Sequence, residues 1–123
     1  MILTTYDIAR VLHARAQLQM WHWQARAYEL HTALGALYGR LDDIGDSLVE
    51  TVSQLERPPG AGALPSIEDL ESPEQVMTYL GQLVGWLRDD LLKRVPPAEQ
   101  GVANIAQDML GAVQHGIYMI SLQ

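Results

Sequence analysis

Apolar residues recur at helical intervals in four separate stretches of the chain. The clearest is Leu30, Leu34, Leu37, Leu41, Ile44, Leu48 and Leu55, spaced by 4, 3, 4, 3, 4 and 7 residues. Such steps keep side chains on one stripe of a helix and exclude a strand, whose side chains alternate. Before it, Ile8, Val11, Leu12 and Leu18 predict a helix from Thr5 to about Ala25, with Thr4 or Thr5 as cap and Asp7 in the first turn, where the dipole favours it. After it, Val76, Leu80, Leu83, Leu87 and Leu91 predict a third helix that opens at Ser72-Pro73-Glu74 and stops near Arg94, before Pro96-Pro97. Val102, Ile105, Met109, Val113, Ile117 and Ile120 predict a fourth.

The connections differ in kind. One helix from Thr5 to Glu56 would be about 78 Å long, too long for a chain of this size, so a reversal is expected between Ala25 and Tyr28. Between Glu56 and Pro73 lies Arg57-Pro58-Pro59-Gly60-Ala61-Gly62-Ala63-Leu64-Pro65, which cannot be helical, followed by Ser66 to Glu71, where a short helical turn is expected. This connector is longer than antiparallel neighbours need. Extended, it could run the ~40 Å of a bundle and start the third helix parallel to the second. The expectation is an all-α, four-helix bundle in a single domain, residues 1–123, with a long crossover between helices two and three.

The second helix also carries chemistry. Opposite its leucine stripe lie His31, Gly35, Gly39, Asp42, Asp46 and Glu50. Asp46 and Glu50 are four apart, so their carboxylates can share a cation. His31 lies about 22 Å along the helix from Asp46, so it can join them only from a second chain. A twofold axis near Gly39 or Arg40 would bring His31 of one copy level with the carboxylates of an antiparallel partner. His22 reaches the side of His31 only if the chain turns between them.

Composition narrows the classes. The 123 residues include no Cys and no Phe, which rules out disulfides and thiolate metal sites. No uncharged run reaches the ~18 residues of a membrane span, and Met1 to Asp7 does not read as a signal peptide, so a soluble protein in the cytoplasm or within a particle is expected. Eight Lys and Arg against 15 Asp and Glu give a net charge of −7, and no basic tail is present, so DNA binding is not expected. His13 and His115 have no carboxylate at helical spacing and read as structural. Trp21, Trp23 and Trp86 read as core or interface.

With His22-Trp23, His31 and Asp46-x-x-x-Glu50, the chain resembles the first two helices of Dps proteins, the small ferritin-like proteins of iron storage and DNA protection. Through His22-Trp23-Gln24, the Tyr28 to His31 region and Asn104 to Gly111 it is closer to a short phage-encoded Dps-like group of unassigned function. The resemblance implies a ferritin-like bundle and an iron-oxidising centre at a dimer interface. In that centre His22 and His31 come from one subunit and Asp46 and Glu50 from the other, with zinc or no metal as alternatives to iron. It also implies at least a homodimer, and a shell of twelve if the family assembly is kept. Two departures stand out: Gly35 occupies a position where Dps proteins carry a further acidic ligand, and the interval between the histidines is three residues shorter. Gly35 in place of a ligand favours a second reading, a non-catalytic four-helix protein that oligomerises or docks onto a viral or host partner and retains a degenerate metal site.

Overall fold

The computed structural model describes residues 2–60 and 62–123, so Met1 and Ala61 of the expected N-terminus and connector lie outside the described residues. Four helical rods pack as a bundle. They are α1 (Thr5–Gln24), α2 (Tyr28–Leu55), α3 (Pro73–Gly85, continued by a π-helical stretch Trp86–Leu91 and a last α turn Leu92–Arg94) and α4 (Gln100–Ser121).

Each helix starts for a local reason. Thr4 caps α1 in a capping box: its hydroxyl accepts from the Asp7 N–H while the Asp7 carboxylate accepts from the Thr4 N–H. Ser72 caps α3, with Pro73 at the first position, where its missing N–H costs nothing. Neither α2 nor α4 has a side-chain cap, so packing must hold their ends.

The leucine stripe of α2 faces the core as expected, although Leu55 at its end is exposed and Gly45 and Val52 are buried beside it. All five expected positions of α3 are buried. The π-helical stretch was not expected. Its wider turn, in which the Leu92 N–H reaches back to Leu87 O, lets Trp86, Leu87 and Leu91 all face inward. In a regular helix Trp86 and Leu91 would diverge by about 140°.

Helix α1 departs most from expectation. Leu18 is buried and Ile8 and Val11 are half-buried, but Leu12 is 46% exposed. The face turned inward instead holds Asp7, Ala9, His13, Ala14, Gln17, Leu18 and Trp21. The reason is the connector. Residues 56–60 and 62–72 form no helix, contrary to the turn expected over Ser66 to Glu71, and residues 62–70 run as an extended strap along α1. Gln17 donates to Glu68 O and accepts from its N–H, Trp21 donates to the same carbonyl, and Gln24 holds Asp69 and Leu70. His13 Nε2 lies 3.1 Å from Ser66 O. A carbonyl only accepts, so that nitrogen carries the proton and the ring's Nδ1 accepts from the Tyr79 hydroxyl at 2.7 Å. Both ring nitrogens of His13 are thus engaged within the chain.

These bonds fix the direction of the chain. Gly62 lies against Thr5 at the start of α1, and Leu70 against Gln24 at its end, so the strap spans the bundle and α3 starts beside the beginning of α2. Helices α1 and α2 pack together, α2 packs on α4, and α4 on α3. The strap covers the remaining side, between α3 and α1. At the far end of that side, Asp7 accepts from the Trp86 indole and from both terminal nitrogens of Arg94. No helix among the described residues is long and apolar enough to cross a membrane.

Candidate metal site

The three-residue corner Ala25 to Ala27 brings His22, near the end of α1, beside His31, in the first turn of α2. The turn itself lacks Gly and Pro, and the histidines hold it. His22 Nδ1 lies 2.7 Å from the carbonyl of His31, and His31 Nδ1 lies 2.8 Å from the carbonyl of His22. Because carbonyls cannot donate, both Nδ1 atoms carry protons. In each neutral ring Nε2 therefore keeps its lone pair. The rings stack with centroids 4.0 Å apart and 20° between planes. A histidine whose Nδ1–H is anchored on a carbonyl presents Nε2 in a fixed direction, which is how metal-binding imidazoles are commonly oriented.

Gly35 has a role that its place in the sequence did not reveal. A Cβ built there would come within 2.7 Å of His22 Cε1. The imidazole of His22 fills the space that any other side chain at 35 would need. Gly35 is thus already used within its own chain. Gly39, one turn on, has no atom within 4 Å of its would-be Cβ and remains open.

Asp46 and Glu50 are exposed on α2, about 22 Å and about 28 Å along the helix from His31, and the chain does not bring them to the histidines. Among the described residues no three His, Asp or Glu side chains converge as a metal-binding group. Asp42, on the same side of α2, pairs with Arg15 of α1 at 2.8 Å. Both partners are well exposed, so that bridge contributes at most about 1 kcal/mol.

The side of the bundle formed by α1 and α2 carries the histidines at one end and Asp46 and Glu50 at the other. At the carboxylate end a groove lined in part by Asp46 contains the exposed Leu12, with Ile8, Val11 and Val49. Trp23 is 64% exposed at the histidine end, while Trp21 and Trp86 are in the core.

The buried polar groups of α1, Asp7 with Arg94 and Trp86 and His13 with Tyr79, are not among the residues that the sequence pattern singles out. A signal was present, since His13, Gln17 and Gln24 occupy a face where a bundle helix would place aliphatics. Burial disfavours the charge on Asp7, but the Arg94 guanidinium, the Thr4 N–H and the Trp86 indole outweigh it and hold the carboxyl below its ordinary range. Burial pushes the Tyr79 hydroxyl well above its ordinary value, so it stays protonated as a donor to His13. No family model, characterised protein or solved structure matches this chain.

Proposed function

We propose that the protein is a ferritin-like, Dps-like metal-binding protein whose site forms between two copies on the α1/α2 side. His22 and His31 of one copy supply imidazoles, and Asp46 and Glu50 of the other supply carboxylates. The observation that carries this reading is the reciprocal anchoring of the two rings, which leaves both Nε2 atoms as free donors on adjacent, pre-oriented imidazoles. Neutral imidazoles favour iron or zinc over calcium, and carboxylates stabilise the higher charge of Fe(III). Fe(II) would be the substrate: each ion bound there gives one electron to peroxide or dioxygen, and the product is stored if the copies close into a shell. The exposed Leu12 and the open Gly39 make this side suited to a close antiparallel partner.

The test is Fe(II) uptake measured anaerobically at known oligomeric mass. Binding at one or two ions per chain, lost in His31→Ala with the fold retained by circular dichroism, supports the site. No uptake of Fe(II) or Zn(II) by a stable dimer would sink it.

One observation favours a second reading. The reciprocal bonds of His22 and His31 already close the α1–α2 corner, and the His22 ring occupies the place of the further acidic ligand at Gly35. On that reading the histidines are a structural clasp in a non-catalytic oligomeric protein of phage type, and His31→Ala costs stability without changing any metal content.

A further inference from the structure

The neighbouring side of the bundle, between α2 and α4, holds a second groove of about 740 Å³. Its rim carries Tyr28 (76% exposed), Leu122 (63%) and Met119 (42%), all at the end where the chain stops. Its floor is made of small residues, Ala33 and Ala36 from α2 and Ala112 and Gly116 from α4. Gly116 is required there: a Cβ would come within 2.7 Å of the Leu37 side chain, so the two helices approach closely and the floor stays low. Large apolar side chains that stand free beside an unfilled trough are complementary to the trough itself.

The charges on this side repeat that complementarity. Glu29, Ala33, Ala36 and Arg40 lie on one stripe of α2, within about 60° of each other. Glu29 and Arg40 both line the groove, one at each end, about 16 Å apart. Among the described residues neither makes an ion pair or a hydrogen bond, and each is the opposite charge to the other along this groove, while Arg40 also borders an adjoining pocket with Asp108 of α4. The midpoint between Glu29 and Arg40 is also the midpoint between Ala33 and Ala36. A twofold axis through that level pairs Glu29 with the partner's Arg40, and Ala33 with the partner's Ala36. Because Leu37 sets the register of α4 at Gly116, the same axis carries Leu122 of one copy over the Ala112–His115 end of the other. An isologous interface needs this self-matching of one patch.

We infer that the α2/α4 side is an interface with a second copy of this chain, antiparallel about an axis between Ala33 and Ala36. Trough and free apolar side chains supply the burial, and the two Glu29–Arg40 pairs set the register. The inference does not depend on metal binding, since it uses a different side of α2 from the histidines. If both sides are occupied the assembly exceeds a dimer.

Sedimentation velocity from micromolar to hundred-micromolar concentration tests it. Ala36→Arg fills the trough, and because Ala36 is exposed it should leave the fold intact by circular dichroism; the mass should drop by one level of assembly. Glu29→Arg and Arg40→Glu, taken singly, each place like charges together and should weaken association on the order of tenfold or more. The double reversal Glu29→Arg with Arg40→Glu restores opposite charges and should recover most of it. Leu12→Arg, on the histidine side, reports the other interface. A protein that stays monomeric throughout, or an assembly that responds to Leu12→Arg but not to Ala36→Arg, overturns the inference.

Discussion

The imidazole of His22 lies where a side chain at Gly35 would have to be, with Cε1 within 2.7 Å of a Cβ built there. A mid-helix glycine ordinarily costs about 1 kcal/mol against alanine, so Gly35→Ala should stabilise α2 if only propensity mattered. Overpacking by a methyl costs about 1–3 kcal/mol where the neighbour cannot give way, and His22 is tied at Nδ1. We expect Gly35→Ala to be neutral to destabilising by up to about 2 kcal/mol, and Gly35→Glu to expel the ring. Gly39→Ala meets nothing within its own chain and should raise the stability of the isolated chain by up to about 1 kcal/mol. Chemical denaturation of both variants checks the contrast; equal effects would mean that His22 does not occupy the space.

Asp7 joins the start of α1 to the end of α3 through Arg94 and Trp86. Its carboxyl titrates lower in the fold than in the unfolded chain, despite burial, because the Arg94 guanidinium and the Thr4 and Trp86 N–H groups stabilise the anion. A depressed carboxylate contributes stability that is fully present above the unfolded value of about 3.9 and is lost as pH falls through the lower, folded value. Asp7→Asn should therefore destabilise the protein at pH 7 by about 2–3 kcal/mol, less than a fully buried pair because Arg94 keeps Asp90 and some solvent. It should also flatten the acid limb of the stability profile below about pH 4. Urea melts at pH 7, 5, 4 and 3 measure both effects, and an unchanged acid limb would contradict the assignment.

Much of the bundle was legible because leucines at steps of three and four have a single physical reading, as Leu34, Leu37, Leu41 and Leu48 illustrate. The approach of His22 to His31 was legible too, since nine residues of unbroken helix would have set them apart. The identity of the buried face of α1 was not. It depends on a strap whose backbone is satisfied by side chains far away in sequence, as Gln17 serves Glu68, and periodicity carries no information about that. Nor was the π-helical stretch: Trp86 is drawn inward by Asp7, a partner 79 residues away. At the candidate site the sequence marked the residue types, whereas the reason for Gly35 appears only once the His22 ring is in place.

The strap makes a third prediction. Gln17 is 1% exposed and satisfies both backbone groups of Glu68, while the strap from Ala63 to Asp69 is exposed. Water can replace those bonds on the strap side once they are broken, so Gln17→Ala should cost only about 1–2 kcal/mol globally. The local effect should be larger, because the segment then opens without the bundle unfolding. Limited proteolysis should show cleavage within residues 62–72 accelerating several-fold more than cleavage elsewhere. Uniform acceleration across the chain would show that the strap opens only with global unfolding.

The proposed site makes a demand on symmetry that no single-chain substitution can imitate. If the histidines and carboxylates of one site come from different copies, His22→Ala/His31→Ala and Asp46→Asn/Glu50→Gln should each bind no Fe(II) alone. When the two are mixed and allowed to exchange subunits, half of the dimers are mixed. In each of these, one site combines the intact histidines of one copy with the intact carboxylates of the other, and the second site has neither. Equal mixing should therefore restore about one quarter of the wild-type binding from two inactive proteins. Restoration would require the ligands to meet across the interface, since neither parent chain contains both sets. If exchange is verified by mass spectrometry and no binding returns, the histidine pair and the carboxylate pair do not share a metal, and the clasp at the α1–α2 corner is what His22 and His31 are for.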